Sequence, residues 1–197
     1  MVSKRAIDLI LDSEGCDLAP SWPGGASGVT YGHGYDLGYN SEDQIKRDWA
    51  AHVNGNVLAF MVSCAGVKGE TAKKRITTET KILRITSDAA REVFENRTLP
   101  RFIKLARDTY PGFDELNEDT RGAIVSLVFN RGSSFGVEGQ PSWDSRREMR
   151  ALAPLIVAKD YEGISATIKA MGRLWVGNGL DGLIARRHAE AALCIDS

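Results

Sequence analysis

Apolar residues recur at helical spacing along most of the chain and give way to a different pattern only once, near the start. Ile7, Ile10 and Leu11 set the first helical stripe, so residues 3 to about 13 read as a helix. Glu14 falls at its C-terminal end, and Gly15 follows as its stop. Residues 15 to 40 change character. Pro20, Pro23 and six glycines (Gly24, Gly25, Gly28, Gly32, Gly34, Gly38) break any helix, and Val29, Tyr31 and Tyr35 suggest short strands. This stretch reads as a glycine-rich hairpin region.

Helical signals then resume. Ser41 is an N-cap candidate with Glu42 and Asp43 in the first turn, opening a helix to about His52. Further helices are predicted from about Gly55 to Cys64, from Glu70 to Ile76, and from Ser87 to about Arg97. Pro100 starts or kinks a continuation to about Thr109. Asn117 begins the next helix, and Gly122 to Phe129 within it is apolar nearly all round, the mark of a helix buried on every side. It ends at Asn130-Arg131-Gly132. Ser145 to about Ala158, Tyr161 to Met171 and Gly182 to about Ile195 complete the set. There is no repeat, low-complexity tract or long linker. The fold class expected is α+β, mostly helical, with a small N-terminal β-hairpin region.

Length and charge narrow the functional classes. At 197 residues the chain suffices for one domain, or for two lobes sharing a core. With 25 basic and 26 acidic residues its net charge is -1, which argues against a dedicated nucleic-acid binder. Cys16, Cys64 and Cys194 lie far apart with no short Cys/His spacing, so no metal site is expected and free thiols are. Lys4 and Arg5 precede an apolar stretch that Asp8 interrupts and that is too short for a signal peptide. Synthesis in the cytoplasm without a cleavable export signal is the expectation, with no membrane insertion.

The chemistry concentrates in the first forty residues. An acid at a helix end followed by a glycine-rich hairpin suits a cleft, because glycines let the backbone approach a ligand. Glu14, Thr30 and Asp36 stand out there. Thr30 and Asp36 are six apart around TYGHGYD, so both can point to one side of extended chain. Glycoside hydrolysis needs a protonated carboxyl for the leaving oxygen and a second group to hold water or attack. Glu14 suits the first role where apolar neighbours favour its neutral form; Asp36 and Thr30 suit the second. On residue chemistry alone, a solvated helix-end carboxylate is the commoner reading of Glu14.

SEG at Ser13 to Gly15 and GVTYGHGYDLG at Gly28 to Gly38 resemble the start of the phage T4-type lysozyme family (glycoside hydrolase family 24). An aspartate after the threonine resembles its pesticin-like muramidase branch, which implies the roles of Glu14, Thr30 and Asp36 in that order. Asp17 is the alternative aspartate before the threonine, and it lies very close to Glu14. LVFNRG (Leu127 to Gly132) resembles the family's central helix, and GLIARRHAEAALC (Gly182 to Cys194) its C-terminal signature. The resemblance implies a two-lobed lysozyme-like domain over 1–197. The small lobe would run from about 12 to 65, and the helical lobe from 66 onward plus the N-terminal helix, with the glycan in the cleft between them. It also implies cleavage of the β-1,4 bond between N-acetylmuramic acid and N-acetylglucosamine. The T4-type members imply inversion, with a carboxyl separation of roughly 6.5–9.5 Å, and no cofactor.

Each remaining candidate has a plainer alternative. Asp36 can cap a turn, and Thr30 can be a strand former. Tyr31 and Tyr35 stack on sugars or pair across strands. His33 lines the cleft, while His52 and His188 read as surface or helix-end residues. Asn130 contacts sugar or caps the buried helix with Gly132 left-handed, and Arg131 leans structural. Trp175 reads as core packing. Arg186 and Glu190, four apart, read by default as a surface ion pair, whereas the resemblance implies an arginine there that tethers the first helix near the catalytic acid.

The reading is therefore an enzyme of bacterial lysis acting as a monomer on peptidoglycan glycan strands in the periplasm. Release by a holin, as for an endolysin, or delivery by a secretion system would bring it there, with an immunity protein as partner if it is an effector. A lytic transglycosylase, needing one glutamate, and a non-catalytic peptidoglycan- or protein-binding module are the alternatives.

Overall fold

A computed structural model describes residues 1–195. The chain is mostly helical, with one small antiparallel sheet near the N-terminus, and so has the expected α+β class. It divides into two compact units, one formed by Glu14–Pro100 and the other by Met1–Ser13 with the chain from Arg101 onward.

The first helix, α1 (Lys4–Glu14), packs Ala6, Ile10 and Leu11 into the interior. Gly15 ends it at φ 66°, a conformation that costs glycine little. Three strands follow: β1 (Asp17–Ser21), β2 (Thr30–Gly32) and β3 (Tyr35–Asp36), in sheet order β1-β2-β3. β1 pairs with β2 through Asp17 opposite Gly32 and Ser21 opposite Thr30; β2 pairs with β3 through Thr30 opposite Asp36 and Tyr31 opposite Tyr35. Gly32 and Gly34 both have positive φ, which lets the chain reverse around His33.

In the same unit lie α2 (Glu42–Trp49), α3 (Gly55–Ser63), α4 (Gly69–Lys73) and α5 (Ser87–Val93). Side-chain caps set three of their starts: Ser41 accepts from Gln44 N (3.2 Å), Asn54 from Val57 N (3.1 Å) and Thr86 from Ala89 N (3.1 Å). Such a cap is worth about 1 kcal/mol. The sequence expectation placed the start of α5 at Ser87 and Asp88; Thr86, one residue earlier, holds the cap.

Beyond α5 a π-helical turn, Phe94–Thr98, leads into α6 (Leu99–Thr109). Pro100 explains the turn. It has no N–H to give, and its ring would strike the carbonyl four residues back, so the backbone widens there instead of breaking. The unit stretches to Pro100, whereas the expectation drew its boundary near residue 65. The reason is a shared core. Ile85, Ala90 and Val93 belong to the same apolar cluster as Val29, Leu37, Val57 and Met61.

The other unit is built on α7 (Glu118–Arg131), in which every residue from Gly122 to Val128 is buried. Asn117 caps it, accepting from Thr120 N (2.7 Å). Around it come α8 (Pro141–Ser145), α9 (Arg147–Ala158), α10 (Tyr161–Ala170) and α11 (Asp181–Leu193). The short α8 was not expected; with five residues and Pro141 at its start, it carries no periodic signal. α10 packs on α9 and α11, and α11 packs on α7. Among the described residues no helix is long and apolar enough to cross a membrane.

Candidate functional site

The hairpin is held by Asp36. Its carboxylate accepts the Gly28 amide on both oxygens (3.0 Å each) and the Gly38 amide on Oδ1 (2.8 Å). These bonds fold the chain back on both sides of β2–β3 and need glycine. A Cβ on Gly28 would overlap Asp36 Oδ1, and one on Gly38 would stand 2.7 Å from the Val67 carbonyl oxygen. Asp36 is thus a turn cap, as its plainer reading had it, and sits half-buried.

Thr30 lies directly opposite Asp36 across β2–β3. Cross-strand partners point to one face, so the two candidates share a side of the hairpin, as their spacing allowed. Thr30 is only 3 % exposed, and its hydroxyl donates to the Gly28 carbonyl at a long 3.5 Å. Glu14 ends α1 and is exposed. Three residues after it, Asp17 enters β1 opposite Gly32, so the helix end leads straight into the sheet that carries Thr30.

Tyr31 and Tyr35 are corrected by the structure. Both are buried, at 0 % and 5 % exposure, and neither ring is open to a sugar. They face one another in the strand register, which is the plainer reading. The Tyr31 hydroxyl donates to the Leu83 carbonyl (2.7 Å), and burial drives its phenol well above the ordinary range. The Tyr35 hydroxyl donates to Asp48 Oδ2 (2.7 Å), and its ring meets Trp49 edge-on. Asp48 is itself buried and takes further bonds from Gln44 Nε2 (2.8 Å) and an ion pair with Arg97 of the π turn (3.6 Å). Nothing in the sequence pattern marked Asp48, because a lone carboxylate in an amphipathic helix reads as solvated. His33, at the hairpin tip, is half-buried with its ring edge-on to Phe94.

In the helical unit, α7 runs to Arg131, and Gly132 supplies the positive φ of 73°. Asn130 therefore sits in the last turn; it is exposed, and its Oδ1 accepts from Arg187 Nη1 (3.1 Å). Arg131 is half-buried, donates to the Ser145 carbonyl (2.6 Å) and lies 5.1 Å from the Trp175 ring. Burial, with Arg146 and Arg187 nearby, pulls its guanidinium down to about 10. Trp175 is half-buried, with the Arg131 and Arg187 guanidiniums 5.1 and 5.8 Å from its ring centre.

Arg186 and Glu190 do not form a surface pair. Glu190 is fully buried and Arg186 nearly so. Glu190 Oε1 accepts from Ser126 Oγ (2.6 Å), Arg186 Nε (3.2 Å) and Arg187 Nη2 (2.6 Å). Burial raises the Glu190 carboxyl above its ordinary range, with Arg187 pulling the other way. Ser126 interrupts the apolar surface of α7 and supplies a polar partner to both side chains of the buried pair. Among the described residues no group of three or more His, Cys, Asp or Glu side chains is placed to hold a metal ion.

Over residues 18–102 the chain is similar to a family described as a domain of unknown function (DUF8812). Those bounds run close to those of the compact unit Glu14–Pro100, which contains the hairpin. No curated protein matches the chain.

Proposed function

We propose that this chain is a peptidoglycan hydrolase that cleaves the β-1,4 bond between N-acetylmuramic acid and N-acetylglucosamine, with Glu14 as general acid. The observation that carries the reading is the pairing of Thr30 with Asp36 across β2–β3, in the sheet whose first strand, β1, follows the helix ending in Glu14. Those are the three residues, in the order that the resemblance to phage lysozymes implies.

In this reading Glu14 donates its proton to the glycosidic oxygen as the bond to the leaving sugar breaks. Water adds to the anomeric carbon and gives its proton to Asp36. An ionised carboxylate has about four lone-pair sites. Three of those on Asp36 are taken by the Gly28 and Gly38 amides, which leaves Oδ2 a place for the water. Glu14, exposed at the end of α1, is open to a glycan strand. The site of action would be the bacterial wall, reached by holin release or a secretion machine.

The test is digestion of purified peptidoglycan by wild type and Glu14→Gln, with products read by mass spectrometry. New reducing ends at muramic acid, absent with the variant, are the expected result. No cleavage of several wall types by folded wild type would overturn it.

A second reading is a lytic transglycosylase, in which one glutamate serves and the product is an anhydro sugar. The engagement of both Asp36 oxygens by backbone amides favours it. Asp36→Asn separates the two, because asparagine keeps Oδ1 for the Gly28 and Gly38 amides while removing the carboxylate. Retained activity with anhydro-muramic products means a transglycosylase; loss of most activity means a hydrolase.

A further inference from the structure

A basic segment runs beside the sheet in a chain whose net charge is -1. Residues 66–85 hold six basic side chains (Lys68, Lys73, Lys74, Arg75, Lys81, Arg84) against two acidic ones, Glu70 and Glu79. All but Arg75 are exposed. The segment is fastened along the sheet rather than loose. Lys68 bridges to Gly28, Gly69 N donates to the Ser27 carbonyl (2.8 Å), and Ile85 N donates to the Leu18 carbonyl (2.9 Å).

Two of these lysines are placed over aromatic rings. The Lys68 ammonium lies 3.5 Å from the centre of the Tyr39 ring, and that of Lys73 lies 5.1 Å from the Trp22 ring. Both rings are pinned to one short loop. Trp22 Nε1 donates to the Ser27 carbonyl (3.0 Å), and the Tyr39 hydroxyl donates to the Ala26 carbonyl (3.3 Å). Tyr39 is 61 % exposed. Lys73 also has Glu70 beside it (3.6 Å), an exposed pair that salt screens.

An ammonium seated on a ring keeps its N–H donors for an anion and is held in place. A ring beside a fixed cation suits a sugar that bears a negative group: the apolar face of the sugar meets the ring, and the anion meets the ammonium. A polynucleotide would meet the same groups, but a sequence pI near 6.3 opposes it. We infer that the face carrying Trp22, Tyr39, Lys68 and Lys73 binds an anionic glycan. It rests on the muramidase reading only for which glycan that is. Peptidoglycan bears carboxylates on its muramoyl peptides, and the polymers attached to some walls bear phosphates; both are sugar chains with fixed anions.

The experiment is cosedimentation of the full-length chain with insoluble wall sacculi, before and after hydrofluoric acid strips the phosphate polymers. Glu14→Gln is the background, so that binding is read without cleavage and stands or falls apart from the hydrolase assay. Lys68→Gln/Lys73→Gln should weaken binding on the order of tenfold at low salt and flatten its fall between roughly 50 and 200 mM salt. Tyr39→Ala should weaken binding severalfold without changing the salt dependence. Lys104→Gln/Lys169→Gln, exposed lysines elsewhere, should change neither. Binding that survives stripping assigns the anion as carboxylate; binding lost on stripping assigns it as phosphate. The inference is overturned if the Lys68/Lys73 variant binds both walls like its parent, if the Lys104/Lys169 pair costs as much, or if double-stranded DNA displaces the chain from the walls.

Discussion

Gly122 of α7 and Ala6 of α1 lie so close that a methyl group on Gly122 would overlap the Ala6 Cβ. Alanine is the better helix former by up to about 1 kcal/mol, yet here it has no room. Gly122→Ala should destabilise the protein by about 1–3 kcal/mol, the usual cost of overpacking. Since α1 ends on Glu14, the proposed muramidase reading requires that wall cleavage fall as the helix is pushed aside. Urea unfolding measures the first effect and release of reducing ends the second. A variant as stable and active as wild type would mean that α1 shifts freely on α7.

Tyr35 holds a buried charge. Its hydroxyl donates to Asp48, which is 2 % exposed. Tyr35→Phe should cost about 1.5–3 kcal/mol, the worth of a hydrogen bond to a charged group. Affinity for glycan should not change, because the ring is out of reach of solvent. A selective loss of glycan binding at unchanged stability would restore Tyr35 as a substrate contact.

Glu190 balances two arginines inside the helical unit. Removing it takes an acceptor carboxylate from the buried Arg186 and Arg187, so Glu190→Ala should cost about 3–5 kcal/mol. Glu190→Gln, which keeps an acceptor oxygen, should cost less. Chemical denaturation of both variants gives the comparison, and equal losses would show that charge plays no part.

Glu148 sets an acid dependence. Burial raises its carboxyl, but bonds from Arg173 and Arg147 outweigh that and hold it below the ordinary value of 4.5. A carboxylate lowered on folding lends stability in full above 4.5 and loses it as pH falls through the lower folded value. Unfolding free energy should therefore decline below about pH 4.5, and Glu148→Gln should flatten that decline. Denaturation followed across acid pH tests the slope.

Much of the helical architecture was readable because periodicity is local. The all-round apolar run from Gly122 predicts a buried α7, and every residue from Gly122 to Val128 is buried. The hairpin was readable in outline for the same reason, since glycines and short apolar runs specify a turn without help from elsewhere. Which of its faces is buried was not readable. α5, more than fifty residues away in sequence, brings Ala90 so near Gly32 that a Cβ there would stand 3.2 Å from it. Tyr31 and Tyr35 are buried in that same core, and nothing within TYGHGYD encodes it.

The candidate site divides in the same way. The spacing of Thr30 and Asp36 put them on one side, and the strand register pairs them. That Asp36 gives three of its lone-pair sites to the Gly28 and Gly38 amides depends on how loops at both ends of the hairpin close, which the spacing does not record. Arg186 and Glu190 have the right separation for a pair, but burial turns a marginal surface contact into a costly one to break. Only α7, with Ser126 set in its apolar face, reveals that.

Cys64 and Cys194 are both buried, and they fall in different compact units, while Cys16 is exposed. Burial raises the Cys64 thiol and drives that of Cys194 up to about 12, so neither is reactive while its surroundings stay closed. With Cys16 blocked first, the rates at which a thiol reagent labels the other two become separate clocks. One times the opening of the sheet-bearing unit, the other that of the helical one. Synchronous labelling would mean that the chain melts as a single cooperative body; staggered labelling would name the half that lets go first.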